Sequence, residues 1–246
     1  VTPKPGPCLY LLPGLLCDAT VWEHQSASLE RHAEIRIPAL RGISSFRDMA
    51  LHILKDAPAR FSVVGHSMGG RVALEMMRLC PERIDKFGLM SVGVHPVQPH
   101  EPAARMALVD LAEQRGMEAL ADKWIPPMVA RSRHGDLELM QKIRAMVLRS
   151  TPAEHRCQIE AALTRSDQSL YLPTIKHKVL LLCGAEDVWS PLAQHQKIQQ
   201  LLACSDLHSI ADAGHMVTME RPEAVSRVLV DWFTGAGADR DMSRLK

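Results

Sequence analysis

The sequence predicts an α/β fold: a mostly parallel sheet of about six strands, flanked by helices and interrupted by an all-helical insertion. Three observations predict it. Short apolar runs of strand length alternate with amphipathic stretches of helix length, the pattern of βαβ units. The runs are continuously apolar, which suits strands buried on both faces. From about residue 95 to residue 172 the alternation stops and only helix spacing is found. The expected division is a sheet core over 1–94 and 173–246, with 95–172 inserted as a helical lid.

Each element has its own signal. Residues 8–12, Cys-Leu-Tyr-Leu-Leu, form the first strand, ended by the turn Pro13-Gly14-Leu15-Leu16. Asp18 or Thr20 caps a helix starting near Trp22, which reads as core. Residues 34–38 form a second short strand, and 46–54 a helix capped by Ser44 or Ser45. Residues 61–64 are the third strand, followed by a helix to Leu79 that Pro81 stops. Strands follow at 87–92, 179–183 and 206–210. Helices are expected at 192–202 and 222–233, and the insertion reads as helices at 103–115, 117–129, 137–148 and 152–164. From Gly235 on the chain is small and polar, a loose tail.

Composition removes several function classes. The 246 residues suffice for one α/β domain with an insertion. Net charge is +1 and basic residues are not clustered, so neither nucleic acid nor an anionic membrane is an expected partner. Aromatic residues are 4% of the chain, too few for base-stacking surfaces. No apolar run approaches the roughly 18 residues of a membrane span. The start, Val1-Thr2-Pro3-Lys4-Pro5-Gly6-Pro7, has Pro and Gly where a signal peptide has its apolar centre, so a cytoplasmic protein is expected. Six cysteines form no Cys-x-x-Cys pair and no zinc spacing; reduced thiols and no metal or cofactor are expected.

The chemistry centres on Gly65-His66-Ser67-Met68-Gly69-Gly70, at the end of the third strand and the start of the helix after it. Glycine-x-serine-x-glycine in that setting is a nucleophile elbow. Ser67 must sit on a strained turn with its hydroxyl above the sheet, and side chains at 65 and 69 would collide with neighbouring backbone. Asp187 and His215 also stand at C-terminal strand ends, where open α/β sheets bind ligands. Serine needs a base to remove its proton, a histidine can do so, and an aspartate holds the imidazole in the right tautomer. Taken singly, Asp187 is also a helix cap before Ser190-Pro191; Glu186 and Asp212 compete for its role, the one a residue early and the other too near His215 in the chain. The oxyanion hole is assigned to the backbone N–H groups of Met68 and Leu15, with Leu16 as the alternative.

Together these residues resemble the α/β-hydrolase superfamily over nearly the whole chain. Its landmarks are 65–70, Pro81-Glu82-Arg83-Ile84, Gly184-Ala185-Glu186-Asp187 and 214–223, Gly-His-Met-Val-Thr-Met-Glu-Arg-Pro-Glu. Within it the chain is most similar to small helix-lidded carboxylesterases and enol-lactonases. Three departures stand out: Pro13-Gly14 replaces the usual His-Gly, Ala39-Leu40-Arg41-Gly42-Ile43-Ser44-Ser45 replaces a glycine-rich loop, and no strand is expected ahead of residues 8–12, so that six strands are expected where the family has eight.

The resemblance implies a serine hydrolase acting on a small or medium carboxylic ester, lactone or thioester through an acyl-Ser67 intermediate. C–C bond hydrolysis or a lyase-type synthase on the same site is the alternative, and a non-catalytic receptor a more distant one. An apolar pocket is expected, walled by Leu16, Trp124, Met128, Trp189 and Met216. Arg71, Arg131 and Arg149 read as solvated, and the oligomeric state is not encoded in any recognisable pattern.

Overall fold

The structure is a computed structural model that describes residues 6–236. The strands are β1 (Cys8–Leu12), β2 (Glu34–Arg36), β3 (Phe61–His66), β4 (Ile84–Met90), β5 (Val179–Gly184) and β6 (Ser205–Ile210). They form one six-stranded sheet in the order β2-β1-β3-β4-β5-β6. Every pairing is parallel. Strand order reverses between β1 and β3, so their C-terminal ends open the crevice in which such sheets bind ligands.

Alternate side chains explain the two cores. In β1, Cys8, Tyr10 and Leu12 pack into one apolar cluster while Leu9 and Leu11 pack into the other. In β5, Val179 and Leu181 face the first cluster, Leu180 and Leu182 the second. Successive side chains point to opposite faces of a strand, so a continuously apolar run is buried on both sides.

The helices are α1 (Glu23–Leu29), α2 (Phe46–Lys55), α3 (Met68–Leu79), α4 (Glu101–Trp124), α5 (Leu137–Leu148), α6 (Pro152–Leu163), α7 (Leu192–Leu201), α8 (Val217–Glu220) and α9 (Pro222–Thr234). Helices α2 and α3 cover the first face, α1 and α9 the second. Two caps fall among the candidates the sequence offers, and a third was not foreseen there. Asp18 accepts from the Thr20 N–H, Ser45 from the Asp48 N–H, and Thr151 and Glu154 form a reciprocal capping box.

Between β4 and β5 the chain is helical, as expected, with short 3-10 turns between its helices. The two helices expected at 103–115 and 117–129 are one element, α4, broken at Gly116 (φ 83°, ψ 170°). Its second half ends at Trp124, because Pro126 and Pro127 follow and redirect the chain. Helix α8 is too short to leave a periodic signal and was not expected. Gly235 closes α9 with φ 80°, and the loose tail expected beyond it lies, after Ala236, outside the described residues. Among the described residues no helix is long and apolar enough to cross a bilayer.

Candidate active site

Ser67 joins β3 to α3 with φ 55° and ψ −116°, a conformation that non-glycine residues rarely adopt. The turn is held from both sides. The Ser67 N–H donates to the Met90 carbonyl at 2.8 Å, and the Gly70 N–H donates to the Ser67 carbonyl at 3.0 Å. The flanking glycines have no room for a side chain. A Cβ on Gly65 would lie 2.2 Å from the Gly69 carbonyl oxygen, and one on Gly69 2.3 Å from that of Leu12.

Asp187 follows β5, and His215 follows β6. Their loops touch: a Cβ on Gly184 would lie 2.2 Å from the Gly214 carbonyl oxygen. The insertion fixes the histidine loop, since the N–H groups of His215 and Met216 both donate to the Met128 carbonyl, at 2.9 and 3.1 Å. Glu220 supports the same junction. Its buried carboxylate accepts from the Gly214 N–H at 2.9 and 3.0 Å and from the Ala130 N–H at 2.8 Å.

The three residues meet. His215 Nδ1 lies 3.0 and 2.9 Å from the two oxygens of Asp187, and His215 Nε2 lies 2.8 Å from Ser67 Oγ. A carboxylate only accepts, so Nδ1 carries the proton and Nε2 is left to accept from the serine hydroxyl. Asp187 Oδ1 also accepts from the Trp189 and Ser190 N–H groups at 2.9 and 2.8 Å. The capping geometry and the contact with histidine therefore coexist in one side chain. Burial raises the Asp187 carboxyl pKa. The His215 charge and hydrogen bond, with the Ser190 N–H, outweigh that and leave it well below the usual carboxylate range. The competing acids lie elsewhere: Glu186 is exposed, and Asp212 pairs with Arg221 and accepts from Ser132.

Two backbone N–H groups flank the serine. Met68 is the first residue of α3, whose N–H has no acceptor within the helix. Leu15 lies on the turn after β1, and this turn packs on the serine: a Cβ on Gly14 would lie 3.0 Å from His66 Nδ1 and 3.3 Å from Ser67 Cβ. The Leu16 N–H donates to Gln158 Oε1 at 3.0 Å, whereas that of Leu15 has no acceptor among the described residues.

Ser67 and His215 line a cavity of about 480 Å³ between the sheet end and the insertion. Trp124, Met128 and Trp189 line it. Leu16 and Met216 do not. Leu16 turns inward at φ 59° and Met216 lies beneath the histidine loop, and both are fully buried in the second apolar cluster. Nor is the wall uniformly apolar: Arg71, Glu101, Arg105, His155 and Arg165 also line it. Of the arginines read as solvated, Arg131 is exposed and Arg149 binds Asp18 and Thr20, while Arg71 is buried.

His66 and Glu220 were not singled out by the sequence. The His66 Nε2–H donates to the His215 carbonyl at 2.8 Å, with its ring edge-on to the buried Trp22. Its signal was its place beside the serine; that of Glu220 was an acid closing an apolar stretch, Met216-Val217-Thr218-Met219.

A six-stranded parallel sheet with a serine elbow and a histidine–aspartate pair at its C-terminal end defines the class as an α/β-hydrolase. The chain belongs to the alpha/beta hydrolase family, whose model matches residues 9–228. It is 27% identical over 236 residues to the pimeloyl-[acyl-carrier protein] methyl ester esterase of Nitrosomonas europaea, covering 89% of this chain and 92% of that protein. A thermophilic esterase from Thermogutta terrifontis, solved with malate bound, superposes with a TM-score of 0.83 at 25% identity, covering 94% of this chain and 91% of the other. The enol-lactonase from Burkholderia xenovorans LB400 has the same fold, with a TM-score of 0.85 at 22% identity over 95% of this chain and 94% of the other.

Proposed function

We propose that the protein is a serine hydrolase that cleaves a small or medium carboxylic ester through an acyl-Ser67 intermediate. The observation that carries this reading is the series of contacts from Asp187 through His215 to Ser67 Oγ on a cavity wall, each 3.0 Å or shorter. His215 Nε2 takes the hydroxyl proton as Ser67 Oγ bonds to the ester carbonyl carbon. Asp187 stabilises the imidazolium without taking the proton. The carbonyl oxygen becomes an oxyanion between the N–H groups of Leu15 and Met68, where α3 also presents the positive end of its dipole. The imidazolium then gives its proton to the departing alkoxide, and the alcohol leaves. Water, activated by the same histidine, releases the acid and restores Ser67. Residues 95–172 act as a lid that closes one side of the cavity.

A named relative that hydrolyses a methyl ester, aligned over nearly the full chain, supports the ester reading. The test is hydrolysis of p-nitrophenyl esters from acetate to decanoate by wild type and Ser67→Ala. Activity that the substitution abolishes is expected, with a chain-length optimum set by the cavity. A folded wild type inactive on every ester would move the assignment to C–C bond hydrolysis or lyase chemistry on the same fold.

A further inference from the structure

Three guanidinium groups line the cavity, those of Arg71, Arg105 and Arg165, and the one carboxylate beside them, Glu101, pairs with two. Glu101 accepts from Arg165 Nη2 and, at 2.9 Å, from Arg105 Nε. Arg71 makes no ion pair among the described residues. Its partners are neutral and distant: Nη1 donates to Gln168 Oε1 at 3.4 Å and Nη2 to the His95 carbonyl at 3.2 Å. Arg165 Nε donates to that same carbonyl at 3.2 Å, so two cations converge on one neutral oxygen. The acid one turn further along α3, Glu75, is engaged by Arg78 and Gln168.

Arg71 is nonetheless only 8% exposed. A buried cation is costly unless paired. Burial, then repulsion from Arg165 and Arg105, outweighs attraction to Glu101 and Asp167 and pushes its pKa down to about 9. Among the described residues no carboxylate pairs with the group, and the open space it faces is the cavity that holds Ser67.

We propose that this cavity binds an ester bearing a second, free carboxylate, and that Arg71 is the residue that holds it. The inference rests on the serine-esterase reading of the same site. A guanidinium presents a planar fork that matches two carboxylate oxygens. Ser67, the residue before α3, and Arg71, in its first turn, are joined by a backbone contact, Arg71 N–H to the Ser67 carbonyl at 3.4 Å, and both side chains line the cavity. The fitting substrate is a monoester of a dicarboxylic acid, its ester carbonyl at Ser67 and its free carboxylate at Arg71. Arg165, held by Glu101, adds positive potential behind Arg71.

The test compares monomethyl glutarate with its neutral counterpart dimethyl glutarate, measuring methanol release, and titrates glutarate calorimetrically. Wild type should favour the monoester in kcat/KM by about tenfold or more, chiefly through KM. That preference should collapse in Arg71→Gln and survive in part in Arg71→Lys, which keeps the charge and loses the fork. Glutarate should bind wild type and inhibit competitively, and binding should weaken about 10–100-fold in Arg71→Gln. Equal turnover of both esters with no glutarate binding by wild type would overturn the inference and leave the esterase reading intact. Hydrolysis of neither ester would count against the esterase reading, and glutarate calorimetry on wild type would still decide the anion site. If Arg71→Gln fails to fold, the wild-type preference and the Arg71→Lys ratio carry the decision.

Discussion

The imidazole of His66 donates from Nε2 to the backbone carbonyl of His215 at 2.8 Å. The residue before Ser67 thereby grips the residue whose side chain meets Ser67, across 149 positions of sequence. The two rings also lie 5.3 Å apart, centroid to centroid. His66 is a positioning residue: it fixes where the His215 backbone sits, and so where Nε2 meets Ser67.

His66→Phe keeps the ring volume and removes the donor. It leaves a buried carbonyl without its partner, a loss of about 1–3 kcal/mol in stability. A displaced base slows chemistry more than binding, so kcat should fall about 10–100-fold with KM nearly unchanged. Steady-state kinetics beside urea unfolding measures both, and an unchanged kcat would show that the His215 loop is held without His66.

Acid should destabilise the protein early. Burial, aided by nearby His215, holds His66 down to about 4, and burial alone does the same to His155, against 6.5 for the free side chain. Between pH 6.5 and 4 the unfolded chain binds protons that the folded chain refuses. Their contribution is therefore complete above 6.5 and lost as pH falls towards 4, by up to about 3 kcal/mol for each group. Glu220, raised by burial, acts in the opposite direction. Urea midpoints between pH 7.5 and 4.5 should fall steadily, with a shallower slope in His155→Phe. An equal slope in that variant would contradict a neutral buried His155.

Glu220 offers a separable test of loop support. Glu220→Ala strands the N–H groups of Gly214 and Ala130 in the interior, at a cost of about 2–4 kcal/mol. Glu220→Gln keeps one acceptor and should recover part of both stability and kcat. Thermal unfolding with ester kinetics reads the pair, and equal loss in the two variants would argue that the charge matters more than the acceptor.

The sheet, most helices and the three meeting side chains were legible because each rests on a local signal. Apolar runs located the strands, prolines and caps bounded the helices, and glycines marked the close approaches around Ser67. The cavity wall was harder to read. An inward arginine such as Arg71 looks in sequence like an outward one, since only tertiary packing decides which face of α3 is buried. Leu16 and Met216 are apolar residues beside the right landmarks, but backbone turns send them into the core. His66 acts through a contact that spans 149 positions, and Glu220 couples a local contact with Gly214 to one with Ala130 that spans 90, which no local pattern reveals.

Ser67 itself holds strain. With φ at 55° and ψ at −116°, replacement by glycine should stabilise the fold by about 1–3 kcal/mol while abolishing turnover. Ser67→Ala should abolish turnover without that gain. Denaturation midpoints of the two variants against wild type test this, and a Ser67→Gly no more stable than Ser67→Ala would mean that the elbow stores no strain.

The acyl-Ser67 intermediate is tested most directly by acid quenching of the enzyme within milliseconds of mixing with p-nitrophenyl acetate, followed by peptide mapping by mass. An acetyl group is expected on the peptide containing Ser67, accumulating with the burst of nitrophenol and absent from Ser67→Ala. Turnover with no adduct at Ser67, or full turnover by Ser67→Ala, would contradict the intermediate.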